Sequence, residues 1–566
     1  MGNPCPWNQP GGYVYRVRRA LAAAVSVGLA VSMAACAKSE RGEGGEGDSN
    51  ATLTIAGTGK PKNFDPIFND DGESFRPARQ IYDTLIQNKA GTADLEPALA
   101  TKWDVSPDGK EITFTLREGV KFQDGSAFNA AAVCFNFDRW FNMKGAAAQS
   151  QMIYYADTFS GFAKNETDSA GDPIYKSCTA KDDKTAVVAL NKFRGALPAA
   201  LTLTAFSISS PDALKKYDAD KVTQSGDSFT YSSYATEHPT GTGPYKFEKY
   251  DAASGTTTLV RNDDYWGEKA KTAKLVIRTI ETETARKQEL EAGSVDIIDF
   301  PAAQDWKGLE SKGMKVEVRP AFNILYLGMN EKNPKLKDLR VRQAIAYAIN
   351  RDQLVKTKFP EGAEVAKEFM PSTLSGYADD VTQYNYDPAK AKSLLAAAGA
   401  SNLTLKFYYP TEVTRPYMPD PKAIFTSIAA DLTAVGIKIT PVARPWNGGY
   451  KDDIQQAGKQ DLHLLGWTGD YNDAYNFVGT FFGREKPEFG FTDKTAFAQI
   501  AAADAEPDAD KRKADYEQVN KDLVGKYLPA VPISHSPPAI ATAGNIDGLV
   551  ASPLTDERFF TVTKKS

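Results

Sequence analysis

Residues 103–140 read WDVSPDGKEITFTLREGVKFQDGSAFNAAAVCFNFDRW. Ile112, Phe114 and Leu116 alternate with Thr113 and Thr115, the two-residue period of a half-buried strand. Pro107-Asp108-Gly109 supplies a turn before it, so Trp103-Asp104-Val105 reads as the other arm of a hairpin. Asp124-Gly125 makes a second turn. Asn129 then stands where a helix cap belongs, and Val133, Phe137 and Trp140 share one face of a helix running through Arg139. Strand pair, turn and helix in so short a span make a mixed α/β unit.

Outward from this stretch, residues 53–322 are rich in strand signals, and residues 323–528 carry more helix. In Leu339 to Leu354 the apolar residues Val341, Ala344, Ile345, Ala348 and Ile349 form one helical stripe. Asp387 caps a further helix, with Pro388 at its first position, Leu394 and Leu395 facing inward, and Gly399 at its end. Another helix carries Ile424, Phe425, Ile428, Leu432 and Val435 and stops at Gly436. Ile437 to Thr440 alternates as a strand, and Leu528 to Ile533 (LPAVPI) reads as the strand that closes this lobe. The chain has no internal repeat. Two α/β lobes joined by crossing strands make a natural cleft, the usual place for a ligand.

The chain has 566 residues, with Lys plus Arg at 67, Asp plus Glu at 72 and a net charge of −5. A nucleic-acid binder would carry a basic excess, so that class is set aside. A mean hydropathy of −0.41 excludes a polytopic membrane protein. The length allows a large core and two or more domains. Three His (His238, His463, His535) and four Cys leave little material for a metal site or a His-based catalytic centre, and no cofactor is expected. Gly57-Thr58-Gly59-Lys60 is too short for a phosphate-binding loop and lacks the following Ser or Thr. No G-x-S-x-G elbow and no H-E-x-x-H occurs. The reading is a binding protein. The enzyme alternative is an extracytoplasmic hydrolase built on scattered Ser, Lys or carboxylates, which turnover would reveal.

Arg16, Arg18 and Arg19 precede a small and apolar run from Ala20 to Ala35. That length suits a signal-peptide core better than a membrane span. It ends in Met33-Ala34-Ala35-Cys36, which resembles a bacterial lipobox, with Met33 where Leu is more usual. Residues 1–35 are therefore expected to be a lipoprotein signal, with Cys36 lipidated. The charged, Gly-rich stretch that follows makes residues 36–51 a flexible tether. The alternative is a plain secretory signal with an incidental Cys. Cys5 leaves with the signal, so Cys134 and Cys178 remain as an even pair in an oxidising compartment. A disulfide between them is expected; the alternative is two buried thiols.

The 103–140 stretch resembles the signature of the family 5 extracellular solute-binding proteins, the peptide and nickel group of ABC importers. Further similar segments follow in the family's order: Gly241-Thr242-Gly243-Pro244-Tyr245, Asn262 to Gly267 (NDDYWG), Gly293-Ser294-Val295-Asp296, and Arg340 to Arg351 (RVRQAIAYAINR). The resemblance covers residues 53–560. It implies a periplasmic-binding-protein type II fold with an extra subdomain in lobe one. The expected division is 52–322 for lobe one, 323–529 for lobe two and 530–566 for the return to lobe one.

Two segments resemble the dipeptide-binding branch: Arg415-Pro416-Tyr417-Met418-Pro419 and Gly466-Trp467-Thr468-Gly469-Asp470. The resemblance implies that Arg415 pairs with a peptide carboxylate and Asp470 with its ammonium. The chemistry is coherent, because a guanidinium matches a carboxylate with two parallel bonds, and both charges of a zwitterion need partners once water is lost. Tyr417 and Trp467 are expected to line the cavity, with packing as their other reading. Trp266 and Tyr265 read as structural. After Asp470 this sequence departs from the branch: Asp473 is followed by Ala474 and Tyr475, then Asn476-Phe477. A Gly-rich insertion lies near Trp446 to Gly449.

The function implied is capture of short peptides, dipeptides first, and delivery to ABC-transporter permease subunits by a lipid-anchored, extracytoplasmic monomer. Alternatives within the same role are longer peptides, nickel chelates, haem or sugars.

Overall fold

The computed structural model describes residues 47–167, 171–226 and 228–565, without the side chains of residues 447 and 448. The expected signal segment 1–35, Cys36 and the tether up to residue 46 lie outside the described residues.

The hairpin forms from Ala100–Val105 and Glu111–Leu116, with Trp103 opposite Phe114. Thr185–Leu190 and Tyr175–Asp182 extend it to a four-stranded antiparallel sheet. Ile112, Phe114 and Leu116 are buried beneath the helix Ala130–Phe141. The Asn129 side chain accepts a hydrogen bond from the Ala132 N–H at that helix's start, satisfying one of its orphan donors. Cys134 on the helix and Cys178 on the edge strand are joined by a disulfide, their Cα atoms 5.0 Å apart. This unit is the extra subdomain of lobe one.

Lobe one itself is a seven-stranded sheet. Its strand order is Tyr245–Asp251, Thr256–Arg261, Lys274–Thr279, Thr52–Gly57, Ile297–Asp299, Ala539–Thr542 and Lys315–Val318. Lobe two is a six-stranded sheet ordered Glu364–Val365, Ala530–His535, Asn323–Met329, Leu462–Thr468, Thr404–Thr411 and Lys438–Pro445. Asn323–Met329 is buried at every position, as a central strand covered on both faces must be.

Two expectations are corrected. The return to lobe one does not begin at residue 530, because Ala530–His535 is still paired with Asn323–Met329 in lobe two. The crossing starts at Ser536-Pro537-Pro538, where two successive prolines supply no N–H and end the ladder. The single helical stripe over 339–354 is two helices, Leu339–Ala348 and Arg351–Lys358. Ile349 is extended and the Asn350 side chain caps the second helix through the Gln353 N–H, a break that apolar periodicity alone cannot show.

The chain thus crosses between lobes at 319–322 and at 536–538. The crossings are tied together: the Arg319 N–H donates to the Pro538 carbonyl at 2.8 Å, and Asn323 Nδ2 to the Ser536 carbonyl at 2.7 Å. The Ser536 N–H returns a bond to Asn323 Oδ1 at 3.0 Å. The Arg319 guanidinium is wholly buried, donating to Glu557 Oε1 at 2.6 Å and to Asp299 Oδ1 at 2.7 Å. Asp299 also pairs with Arg76, and burial notwithstanding, the two guanidinium groups hold its carboxyl below the usual carboxylate range.

Arg319→Met leaves Asp299 and Glu557 buried with part of their countercharge gone. We expect a loss of about 3–5 kcal/mol in urea unfolding. A loss below about 1 kcal/mol would show that this network does not hold the crossings.

Candidate functional site

The two lobes enclose a cleft of about 1330 Å3. Lobe two contributes the ends of two strands and the turns that follow them. Thr404–Thr411 runs into the turn carrying Arg415, and Leu462–Thr468 ends just before Asp470. Both turns face the cleft, so residues far apart in sequence meet there.

The Arg415 turn is closed by two backbone bonds, the Arg415 N–H to the Met418 carbonyl at 3.1 Å and the Met418 N–H to the Arg415 carbonyl at 2.9 Å. The Arg415 guanidinium lies over the Trp446 ring, 4.5 Å from its centroid. No carboxylate among the described residues pairs with it, and its Nε is buried without a hydrogen-bond acceptor. Trp446 belongs to the segment that reads in sequence as an insertion; its role as a stacking plate is visible only in the fold. Tyr417 is buried and also lines the cleft. Its ring packs on Gly466, where an added Cβ would come within 2.4 Å of it. Trp467 is both wall and packing residue: it lines the cleft, and its ring meets Phe481 edge-on at 5.6 Å.

The Asp470 carboxylate accepts from the Tyr154 hydroxyl at 3.0 Å and from Asn476 Nδ2 at 3.4 Å. The Asp470 N–H donates to Asn476 Oδ1 at 2.8 Å, and the Trp467 indole N–H donates to the same oxygen at 3.2 Å. Asn476 therefore orients both Asp470 and Trp467. No cation among the described residues forms an ion pair with Asp470. Burial pushes its carboxyl up to about 7, against the opposing effect of the two donors. Tyr154 lies on Ile153–Phe159 in lobe one, so this bond spans the cleft.

The lobes meet again where Asp504 of lobe two accepts from the N–H groups of Gly195 and Ala196, at 2.8 Å through its carbonyl and 3.2 Å through its side chain. Arg194 sits beside Asp504 and over the Tyr475 ring, 4.4 Å from its centroid. Arg512 links Asp504 to Asp473, reaching Asp473 with two bonds of 2.8 and 2.9 Å. A side chain at Gly195 would strike Arg512 at 2.3 Å, so the close approach requires glycine there. Tyr475, which departs from the dipeptide-branch pattern, and Asp473 before it thus help to build this clasp.

Sequence reasoning singled out Arg415, Tyr417, Trp467 and Asp470, and all four face the one cleft. It missed Tyr154, Trp446 and Asn476. Tyr154 stands in an unmarked aromatic run in the other lobe, and no local pattern connects it to Asp470. Of the three His, His463 is buried against Glu488 at 3.0 Å, His535 bonds the Asn323 carbonyl at the crossing, and His238 stacks on Tyr217 away from the cleft. Among the described residues there is no cluster of three or more metal-ligating side chains, and no helix is long and apolar enough to cross a membrane.

Two α/β lobes, a double crossing and a polar cleft between them define a solute-binding protein. Residues 94–488 match the family described as "Bacterial extracellular solute-binding proteins, family 5 Middle", and the chain belongs to that family. It is 31% identical over 526 residues to the dipeptide-binding protein of Escherichia coli (strain K12), covering 90% of this chain and 94% of that one. It is 29% identical to heme-binding protein A of Haemophilus influenzae, over 91% of this chain and 92% of the relative. Among solved structures, the ABC transporter-associated periplasmic binding protein DppA from Helicobacter pylori, in complex with peptide STSA, superposes with a TM-score of 0.72 at 27% identity. That match covers 91% of this chain and 98% of the other. The family is one of binding components, not of enzymes.

Asp504→Ala removes the acceptor for the Ala196 N–H and the counterion of the buried Arg194. We expect about 1–3 kcal/mol of lost stability and a larger radius of gyration in X-ray scattering. An unchanged radius would mean that the clasp does not hold the lobes together.

Proposed function

We propose that this chain is the extracytoplasmic, lipid-tethered receptor of an ABC importer, and that it captures short peptides, dipeptides first, through their two charged ends. One observation carries the reading. Arg415 and Asp470 are oppositely charged, line the same cleft, and have no ionic partner among the described residues. A desolvated charge without a partner is costly, so both are disposed to pair with a zwitterion. Arg415 takes the carboxylate and Asp470 the ammonium. Tyr417, Trp446 and Trp467 give amphipathic walls that fix no particular side chain. The names of the relatives support a peptide ligand. The lipobox-like Cys36 supports the tether, and a monomer facing permease subunits is the working form.

Capture follows as a population shift. A ligand that contacts both lobes only when they are closed stabilises that state, and the permease then meets the closed form. The Tyr154–Asp470 bond already spans the lobes, so an ammonium arriving at Asp470 joins an interlobe network.

A second reading is favoured by the size of the cleft. At about 1330 Å3 it exceeds the roughly 300–1,000 Å3 of most small-molecule sites, leaving room for a longer peptide or for ordered water.

Calorimetric titration with Ala-Ala, tri- and tetra-alanine, and end-capped Ala-Ala tests the reading. Free Ala-Ala is expected to bind, and acetylation or amidation to abolish binding. Arg415→Met and Asp470→Asn are each expected to weaken it by about 2–5 kcal/mol. Binding only by longer or capped peptides would shift the conclusion to the second reading.

The pH dependence has a definite sign. With its carboxyl near 7, Asp470 is largely protonated at pH 5 in the free protein, whereas a bound ammonium favours the ionised form. Binding below pH 7 should therefore release a proton, and affinity should rise from pH 5 to pH 7. It should fall again once the peptide amine deprotonates, at about 7.7–8.0. Heats measured in buffers of different ionisation enthalpy count the proton; none released at pH 5.5 would remove Asp470 as the ammonium partner.

A further inference from the structure

We propose that Arg79, on the lobe-one wall of the cleft, is a subsite for a second ligand carboxylate and selects peptides whose first residue is Asp or Glu. The inference rests on Asp470 being the ammonium anchor.

Arg79 lies on the helix Gly72–Ile81, one turn beyond Arg76. The two arginines are treated very differently. Arg76 is neutralised by Asp299 and Glu73. Arg79 is held only by neutral acceptors: its Nε donates to Thr204 Oγ1 at 3.1 Å and its Nη1 to the Thr555 carbonyl at 2.9 Å. No carboxylate among the described residues lies within ion-pair distance of it. The nearest acids are already engaged. Glu557 accepts from Arg319 and from the Ser552 N–H. Asp556 accepts from Ser552 Oγ and Asn88 Nδ2. Burial lowers the Arg79 pKa, as expected for a charge with little water and no direct counterion.

The guanidinium is also held in place. Thr555, which presents the accepting carbonyl, sits at φ 56, a left-handed conformation that a β-branched residue rarely adopts. A strained residue fixing a charge that faces a cleft is what a binding subsite requires.

Arg79 is linked to the expected ammonium site through Phe75 and Tyr154, and its charge acts on the Asp470 carboxyl. Its guanidinium is 5.7 Å from the centre of the Phe75 ring, and that ring is 5.8 Å from Tyr154, whose hydroxyl donates to Asp470 at 3.0 Å. Arg79, Tyr154 and Asp470 all line the cleft. In a peptide the first side chain leaves the same carbon as the ammonium. A short acidic side chain there puts a carboxylate next to its own ammonium, matching a cation on one wall and an anion on the other. A planar guanidinium with donors to spare accepts such a group with charge-assisted bonds.

The bland alternative is that Arg79 only pins the Thr555 loop. Calorimetric titration of the purified protein with Glu-Ala, Gln-Ala, Ala-Glu and Ala-Ala separates the two. We expect Glu-Ala to bind about tenfold or more tightly than its neutral isostere Gln-Ala, and Ala-Glu to show no such gain over Ala-Ala. The Glu-Ala to Gln-Ala ratio should collapse toward one in Arg79→Met and survive in part in Arg79→Lys. If Arg79→Met does not fold, the wild-type isostere pair still decides. Equal affinities for Glu-Ala and Gln-Ala, or a ratio that persists in Arg79→Met, would overturn the subsite while leaving the two end anchors intact. If Ala-Ala does not bind, or binds Asp470→Asn as well as the wild type, the anchors themselves fall and the subsite falls with them.

Discussion

The Arg319 guanidinium is the constraint on which both lobes depend. It has no access to water, so its charge must be met by the protein. The partners come from three separated parts of the chain: Asp299 at the end of a lobe-one strand, Glu557 in the C-terminal segment, and the Ala539 carbonyl just past the second crossing. Meeting that one charge brings both crossings and the tail of the chain to one place. Arg76 shares Asp299, so the helix Gly72–Ile81, which carries Arg79 on the cleft wall, is set by the same network. The position of the cleft wall therefore follows from the neutralisation of charges behind it.

Seen from the cleft, the protein sorts its buried and half-buried ions into two groups. Arg319, Arg76 and Arg139, which pairs with Asp65 at 2.7 Å, are satisfied internally and serve the fold. Arg415, Arg79 and Asp470 are positioned by neutral contacts and have no ion-pair partner among the described residues. Trp446 stacks under Arg415, Thr204 and Thr555 hold Arg79, and Tyr154 with Asn476 hold Asp470. Neutral contacts can orient a charge without cancelling its field, and so they leave the electrostatic work to a ligand. The clasp at Asp504 belongs to the first group, since Arg194 and Arg512 meet its carboxylate.

Much of the local structure was legible in the residues. Asn129 and Asp387 each cap the helix that follows, because a short acceptor side chain before an apolar stripe has few other uses. The hairpin at 100–116 follows from alternation and a Pro-Asp-Gly turn. Legibility failed where two local signals compete. The stripe across 339–354 runs through Asn350, and only packing decides that Asn350 caps a new helix instead of continuing the old one. The strand that closes lobe two was legible in Leu528 to Ile533, but the boundary drawn at 530 cut through it, because where the chain leaves the sheet depends on its pairing with Asn323–Met329.

The site divides in the same way. Sequence by itself determined the class of fold, the two lobe-two turns and their charged residues, because each is written in a contiguous motif whose chemistry is local. Only the tertiary structure decided what those charges face. Tyr154 and Asp470 lie in different lobes, Trp446 reaches Arg415 from another strand end, and Arg79 is distinguished from Arg76 solely by which carboxylates lie within reach. Whether a charge is paired is a property of three-dimensional neighbours, because Coulomb energy depends on distance and on excluded water, and neither follows from position along the chain.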